Sequence, residues 1–283
     1  MIMVNLKGGL GNQMFQYSLY TKLQLTNKNV ILDTTQIRSE MDRINRGTIF
    51  DTFVLEEKSN HDFFSTNSLY KSVRKKFCKS FHGIVAEKKV GKYDPEILSA
   101  FQGYLDGYWQ SYKYFSDIRD LLLKRFEFKN YLTGENLGIY NKILNSPNSI
   151  SLHVRLGDYL LNSNTQKLYG GICTIDYYRK AIEMITAKFN SPSFYIFSNE
   201  PREAIKILPP NISYTVVDAN DEKNAWADLF LMKTCKHNII ANSSFSWWGA
   251  WLNENPGKSV IAPNKFINGI TMPDICPQEW VQL

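Results

Sequence analysis

The chain has 283 residues, 43% of them hydrophobic, which suffices for one large core or for two of about 140 residues each. Its formal net charge of +6 comes from 33 Lys and Arg scattered among 27 Asp and Glu, with only Arg74-Lys75-Lys76 and Lys88-Lys89 adjacent. This argues against a nucleic-acid or lipid-binding patch and favours small acidic substrates. The isolated cysteines Cys78, Cys173, Cys235 and Cys276 argue against a structural zinc and for a reducing compartment, and no window reaches the roughly 18 apolar residues that cross a bilayer.

In chain order, Met1–Leu6 reads as a short buried strand, Lys7-Gly-Gly-Leu-Gly-Asn12 as a flexible turn, and Gln13–Thr26 as a helix with Phe15, Leu19, Leu23 and, near its end, Leu25 on its apolar face. Val30–Asp33 supplies a second strand and completes a βαβ opening. The next hundred or so residues are less regular and rich in aromatics, among them Phe50, Phe53, Phe63, Phe64, Tyr104, Tyr108, Trp109, Tyr112, Tyr114 and Phe115. Two readings stand for these side chains, core packing and a sugar-stacking surface in a cleft. Asp117–Phe126 and Asn136–Leu144 read as helices, and the turn Asn145-Ser-Pro-Asn148 divides the chain into an N-terminal domain, 1–146, and a C-terminal one, 147–283.

Beyond that turn, strands and helices alternate. Strands are expected at Ile150–Val154, Ser193–Phe197, Tyr214–Val217, Asn238–Ala241 and Ser259–Ala262; helices are expected at Asp176–Phe189, Pro201–Leu208, Asn224–Thr234 and Ser246–Leu252. The alternation predicts an α/β fold whose C-terminal domain holds a parallel, doubly wound sheet, with the ligand at the carboxyl ends of its strands.

The residue types suited to chemistry fall at those ends. In His153-Val-Arg-Leu-Gly-Asp-Tyr159, Arg155 just follows a strand, where its fork of donors can grip phosphate oxygens or pair with Asp158. Asp158 in turn either orients Arg155 or acts as a general base. Asn242-Ser-Ser-Phe-Ser246 follows another strand and opens the helix carrying Trp247, Trp248 and Trp251. A helix start of this kind is both an N-cap and an anion site, since its unpaired N–H groups and aligned dipoles favour negative charge. Glu200 is either a first-turn carboxylate or the acceptor for the N1–H and N2–H donors of a guanine. The turn Gly8-Gly-Leu-Gly11 is neither a dinucleotide fingerprint nor a P-loop; Gly9 and Gly11 let backbone approach a ligand, and Asn12 and Gln13 offer neutral hydrogen bonds. With no Asp-x-Asp pair, charge on a diphosphate leaving group falls to Arg155 and helix amides, and no metal site is expected.

Five blocks together resemble the bacterial α-1,2-fucosyltransferases of glycosyltransferase family 11: Gly8–Tyr17, Gly107–Phe115, His153–Tyr159, Phe194–Glu200 and Asn242–Ala250. The resemblance implies a GT-B architecture, two Rossmann-like domains facing a cleft with the C-terminal one binding the donor. It implies metal-independent, inverting transfer of L-fucose from GDP-β-L-fucose, a co-substrate, to the 2-hydroxyl of a terminal β-galactoside, with no cofactor. By position, Arg155 would hold the pyrophosphate, His153 and Glu200 the nucleoside end, Ser243 and Ser244 the phosphates, and Phe245 the base, with Asn242 also in the donor site. Leu156 stands where relatives often carry a second arginine, and Asn199-Glu200 where they carry paired aspartates. The expected partner is a galactose-terminated oligosaccharide or lipid-linked glycan such as an O-antigen unit, its choice set by Tyr104, Tyr108, Trp109 and the stretch 38–53. Nucleic acid is excluded as a partner, and the expected location is cytoplasmic, with at most peripheral attachment at the inner face of the plasma membrane. Another GT-B fucosyltransferase of different linkage, or a non-catalytic nucleotide-sugar or glycan-binding protein, is the alternative.

Overall fold

The computed structural model describes residues 1–26, 29–37, 47–55, 83–155, 163–206, 208–209 and 212–283. They form two compact units, Met1–Lys129 with Pro273–Ile275, and Asn130–Met272 with Cys276–Leu283. Among the described residues no helix is long and apolar enough to cross a membrane.

The first unit rests on four parallel strands, β1 (Ile2–Asn5), β2 (Val30–Asp33), β3 (Ile84–Ala86) and β4 (Gly103–Asp106), in the order β2-β1-β4-β3. β1 is an apolar run because it is central: Ile2 pairs with Val30 on one side and with Gly103 on the other. Helix α1 (Leu10–Thr26) links β1 to β2 and buries Phe15, Leu19 and Leu23. It is covered on nearly every side, so its polar residues find internal partners. Ser18 Oγ and Thr21 Oγ1 donate to the carbonyls of Met14 and Tyr17 at 2.7 and 2.9 Å. Helix α2 (Ile49–Thr52) opens on a capping box between Thr48 and Asp51.

Half of the aromatic side chains singled out in this segment are core. Phe53, Tyr104, Trp109, Tyr114 and Phe115 are core, as the rings of Phe53 and Phe126 at 4.9 Å and of Phe15 and Phe115 at 5.8 Å show. Tyr104 and Trp109, expected to meet an acceptor, are 1% exposed, and the Tyr104 hydroxyl donates to Asp33 at 2.9 Å; Tyr108 is the half-buried one of the three. Phe63, Phe64 and residues 38–46 lie outside the described residues. The expected helix at 117–126 is a 3-10 turn, Ser116–Ile118, followed by α3 (Arg119–Arg125). Pro273–Ile275 join this unit through Asp274, whose carboxylate takes the Lys113 ammonium and the Tyr93 N–H and whose carbonyl takes the Tyr112 N–H.

The second unit is a six-stranded parallel sheet in the order β10-β9-β8-β5-β6-β7. Its strands are β5 (Ser149–Val154), β6 (Ser193–Ser198), β7 (Tyr214–Val217), β8 (His237–Ile239), β9 (Val260–Ala262) and β10 (Val281–Gln282). Helices α4 (Gly134–Asn145), α5 (Ile175–Lys188), α6 (Pro201–Lys206), α7 (Ala225–Thr234) and α8 (Ser244–Leu252) accompany it. Alternation along β6 shows why both faces need cover: Phe194 and Ile196 pack with Tyr178 and Ile182 of α5, whereas Tyr195 and Phe197 pack with Ile139 and Ile143 of α4 and Leu231 of α7.

That packing moves the domain boundary. The turn at 145–148 placed α4 in the N-terminal domain, but the units part at Lys129 and Asn130, because Ile139 and Ile143 are buried against the second sheet. Helix α8 begins at Ser244 rather than Ser246 and buries Trp247, Trp248 and Trp251, with Trp247 and Trp248 rings 5.0 Å apart. Where α8 meets α7, a Cβ on Gly249 would stand 2.8 Å from Met232 Cβ. Gly249→Ala is therefore expected to destabilise the fold by about 1–3 kcal/mol through overpacking, read as a lower melting temperature; an unchanged melt would refute so close a helix contact.

Candidate functional site

In the second unit β5 and β8 are parallel neighbours, Leu152 opposite Ile239, and the chain leaves them in opposite directions, to β6 and β7 on one side and to β9 and β10 on the other. Such a reversal opens a crevice at the carboxyl ends of the two strands. Arg155 follows β5 there, and residues 240–243 leave β8 beside it.

β5 is buried along its whole length but splits by face. Ile150, Leu152 and Val154 enter one apolar core, while Ser149, Ser151 and His153 alternate with them. Ser149 Oγ accepts the Lys236 N–H at 3.0 Å and Ser151 Oγ accepts Asn238 Nδ2 at 2.7 Å, which ties β5 to β8. His153, 5% exposed, is the last of this polar series. Burial first, and the neighbouring Arg155 charge second, hold its imidazole down at a pKa of about 3, so it is neutral near pH 7. Its Nδ1 is buried with no hydrogen-bond partner, and its ring lies 6.2 Å from that of Phe245. Arg155 is half-buried immediately beyond Val154.

On the β8 side, Ser243 caps α8 from an extended conformation (φ −136, ψ 127), its Oγ accepting the Phe245 N–H at 3.3 Å. The capped first turn, Ser244 to Ser246, carries the positive end of the helix dipole. Asn242 is 5% exposed, and its amide nitrogen donates to the carbonyls of Tyr169 and Phe266 at 3.1 and 3.2 Å, so that end of the side chain braces the loop.

Glu200 is exposed at the end of β6, one strand beyond β5. Its carbonyl accepts the N–H groups of Glu203 and Ala204, which makes it the start of α6. A second carboxylate escapes the reading of the sequence. Asp228, in the first turn of α7, accepts Asn220 Nδ2 at 2.7 Å, and burial pushes its pKa up to about 7. An acid inside the apolar run Ala225–Met232 is the signal that marks it. Asp158 and Leu156 lie outside the described residues.

The glycine turn belongs to the first unit. Gly8 adopts φ +77 and its carbonyl accepts Gln13 Nε2 at 2.8 Å. Gln13 Oε1 takes the Ile49 N–H at 2.9 Å, so this buried carboxamide spends both ends on the protein rather than offering them to a ligand. Asn12 Oδ1 accepts Gln110 Nε2 at 2.8 Å. Gly9 has open space where a side chain would stand, and its carbonyl accepts the Asn12 and Gln13 N–H groups; Gly11 is buried in α1.

Comparison with known proteins places this geometry in context. The profile of glycosyl transferase family 11 matches residues 1–283. An O-antigen biosynthesis glycosyltransferase of Escherichia coli, WbnK, is 31% identical over 98% of this chain and 99% of its own length. An Escherichia coli alpha-1,2-colitosyltransferase is 30% identical over 100% of this chain and 98% of its own. The galactoside alpha-(1,2)-fucosyltransferase 1 of Leontopithecus chrysomelas is 27% identical over 60% of this chain and 46% of its own. Among solved structures, NodZ alpha-1,6-fucosyltransferase soaked with GDP-fucose superposes with a TM-score of 0.51 at 12% identity, over 90% of this chain and 96% of that one, a likeness of fold.

Proposed function

The chain belongs to glycosyl transferase family 11 and has a GT-B fold; on that premise we propose that it transfers L-fucose from GDP-β-L-fucose to the 2-hydroxyl of a terminal β-galactoside, inverting the anomeric carbon without a metal ion. The observation that carries the proposal is the meeting of Arg155 and the capped start of α8 at adjacent strand ends of one parallel sheet, joined by the His153 and Phe245 rings. An α-1,2 linkage is supported by the names of two relatives, and a metal-free reaction by the lack of any Asp-x-Asp pair.

In this reading the acceptor oxygen attacks C1 of the sugar as the bond from C1 to the diphosphate oxygen breaks; GDP departs with the electron pair and the hydroxyl proton passes to solvent or a carboxylate. Arg155, the Ser244 amide and the positive end of the α8 dipole stabilise charge growing on the diphosphate, and in a partly dry site this stabilisation should lower the barrier more than any other interaction. Ser243 fixes that turn by capping it. Neutral His153 adds no charge but can pack with Phe245 toward the nucleoside. Glu200 at the end of β6 and Asp228 in the first turn of α7 are two carboxylates either able to take the paired N–H donors of guanine. Asp158 keeps its two roles, orienting Arg155 or accepting the proton.

A second donor follows from the colitosyltransferase relative, since colitose is the 3-deoxy counterpart of L-fucose and needs the same GDP-binding half. The acceptor would then be a galactose-terminated unit of a surface polysaccharide, met at the cytoplasmic face of the membrane, a reading the O-antigen relative supports. Incubating the protein with each GDP-sugar and galactosides, with mass spectrometry and linkage analysis of the product, decides. A product substituted at the galactose 2-position is expected. Linkage elsewhere overturns the regiochemistry, and no transfer from either donor overturns the donor.

A further inference from the structure

The first unit has a strand reversal of its own. β1 continues through α1 to β2 on one side, while β4 and β3 lie on the other, so the carboxyl ends of β1 and β4 also flank a crevice. Lys7 Nζ stands there 2.7 Å from Asp106 Oδ1, and Asn5 Nδ2 is 3.0 Å from the same oxygen. The ammonium lies 5.1 Å from the centre of the half-buried Tyr108 ring. Lys7 and Asp106 side chains are 20% and 31% exposed and so within reach of a ligand, whereas Asn5 is 2% exposed and its Oδ1 has no hydrogen-bond partner.

The loop after β4 is held in a costly shape around this cluster. Trp109 has φ +55, a left-handed conformation that costs a bulky residue about 1–3 kcal/mol. Glu87 Oε2 offsets it by accepting the N–H groups of Tyr108 and Trp109 at 2.9 and 3.2 Å. A Cβ on Gly107 would lie 2.6 Å from Glu87 Cβ, so only glycine lets the carboxylate come so close. Gln16 Nε2 takes the Gly107 carbonyl at 3.2 Å, and Gln110 ties the loop to Asn12.

We propose that this crevice is the subsite for the acceptor sugar, in which Lys7 and Asp106 take pyranose hydroxyls, Asn5 holds the Asp106 carboxylate from beneath, and Tyr108 packs against the apolar face of the ring. It rests on the galactoside-transferase reading above. A hydroxyl donates and accepts at once, which suits a cation and a carboxylate side by side. The paired charges also decide against a phosphate, which Asp106 would repel. Glu87 is a positioning residue here, acting through the backbone of Tyr108 and Trp109.

The test measures binding of methyl β-D-galactoside to the full-length protein by saturation-transfer NMR, together with acceptor KM, donor KM and GDP affinity, in wild type, Lys7→Met and Asp106→Asn. Expected is loss of the galactoside signal and an acceptor KM raised about tenfold or more, in line with losing a hydrogen bond to a charged group, while donor KM and GDP affinity stay within about twofold. Where Asp106→Asn fails to fold, Lys7→Met, a change at a partly exposed side chain, decides alone. A wild type that transfers sugar while both variants keep its acceptor KM sinks the subsite and leaves the activity standing. Loss of GDP affinity in step with the acceptor also overturns the subsite. No galactoside binding and no transfer by wild type overturns the subsite and the activity together.

Discussion

Arg155→Ala is expected to lower turnover by about a hundredfold or more, the loss typical when one preset charge-stabilising donor is removed from a transition state. The position makes this a demanding prediction. Arg155 follows a wholly buried central strand with no intervening loop, so its backbone starts from a fixed place at the end of β5, beside the helix start on β8. Its guanidinium presents a rigid fork to phosphate oxygens, and the charge it meets is larger when the bond to the diphosphate is breaking than when the donor is merely bound. Turnover should therefore fall more than donor affinity, and acceptor KM should hold. Arg155→Lys keeps the charge but loses the fork and is expected to recover only part of the loss. Steady-state rates with both substrates varied check this; wild-type turnover in Arg155→Ala would sink the assignment.

Acid should find a weak point at His153. The imidazole titrates at about 3 in the folded chain against 6.5 when exposed, so between those values the unfolded chain binds a proton that the folded one refuses. Stability from this group is complete above pH 6.5 and is lost as pH falls toward 3, the direction expected of a base whose folded pKa is depressed. By pH 4 the loss from this group alone comes to roughly 3 kcal/mol at 1.36 kcal/mol per pKa unit. His153→Gln removes the titration and keeps a polar side chain. Its unfolding free energy should drop by about 3 kcal/mol less than that of wild type between pH 7 and pH 4, measured by denaturant titration at each pH. Equal drops would mean that His153 is hydrated or paired in solution.

Local pattern made much of this molecule readable. β5 through β9 are short strand-forming segments bounded by polar turns, and the expected positions stand within a few residues of the observed ones. Arg155 and Asn242-Ser243 could be placed at strand ends because a parallel sheet puts its loops there, though which strands are neighbours needed the structure. β3 and β4 escaped notice for physical reasons: three residues of which two are exposed carry no burial signal, and Gly103-Tyr-Leu-Asp106 starts and stops on residues that disfavour strands. Tyr104 and Trp109 look the same in sequence as Tyr108, yet φ and register send the first two into the core. Lys7 and Asp106 are 99 residues apart, and nothing local announces an ion pair at that separation.

The route of the chain also sets a rule for recombination. Because it enters the second unit after Lys129, returns to the first for Pro273–Ile275, and ends in the second, the two halves are not separable by a single cut. A hybrid joining this first unit to the second unit of another family member would have to carry residues 1–129 and the tripeptide around Asp274 as one package. Left behind, Asp274 would deprive Lys113 of its counter-charge and the Tyr93 and Tyr112 amides of their acceptors, and a graft made at one junction would lose hydrogen bonds in the half it was meant to preserve.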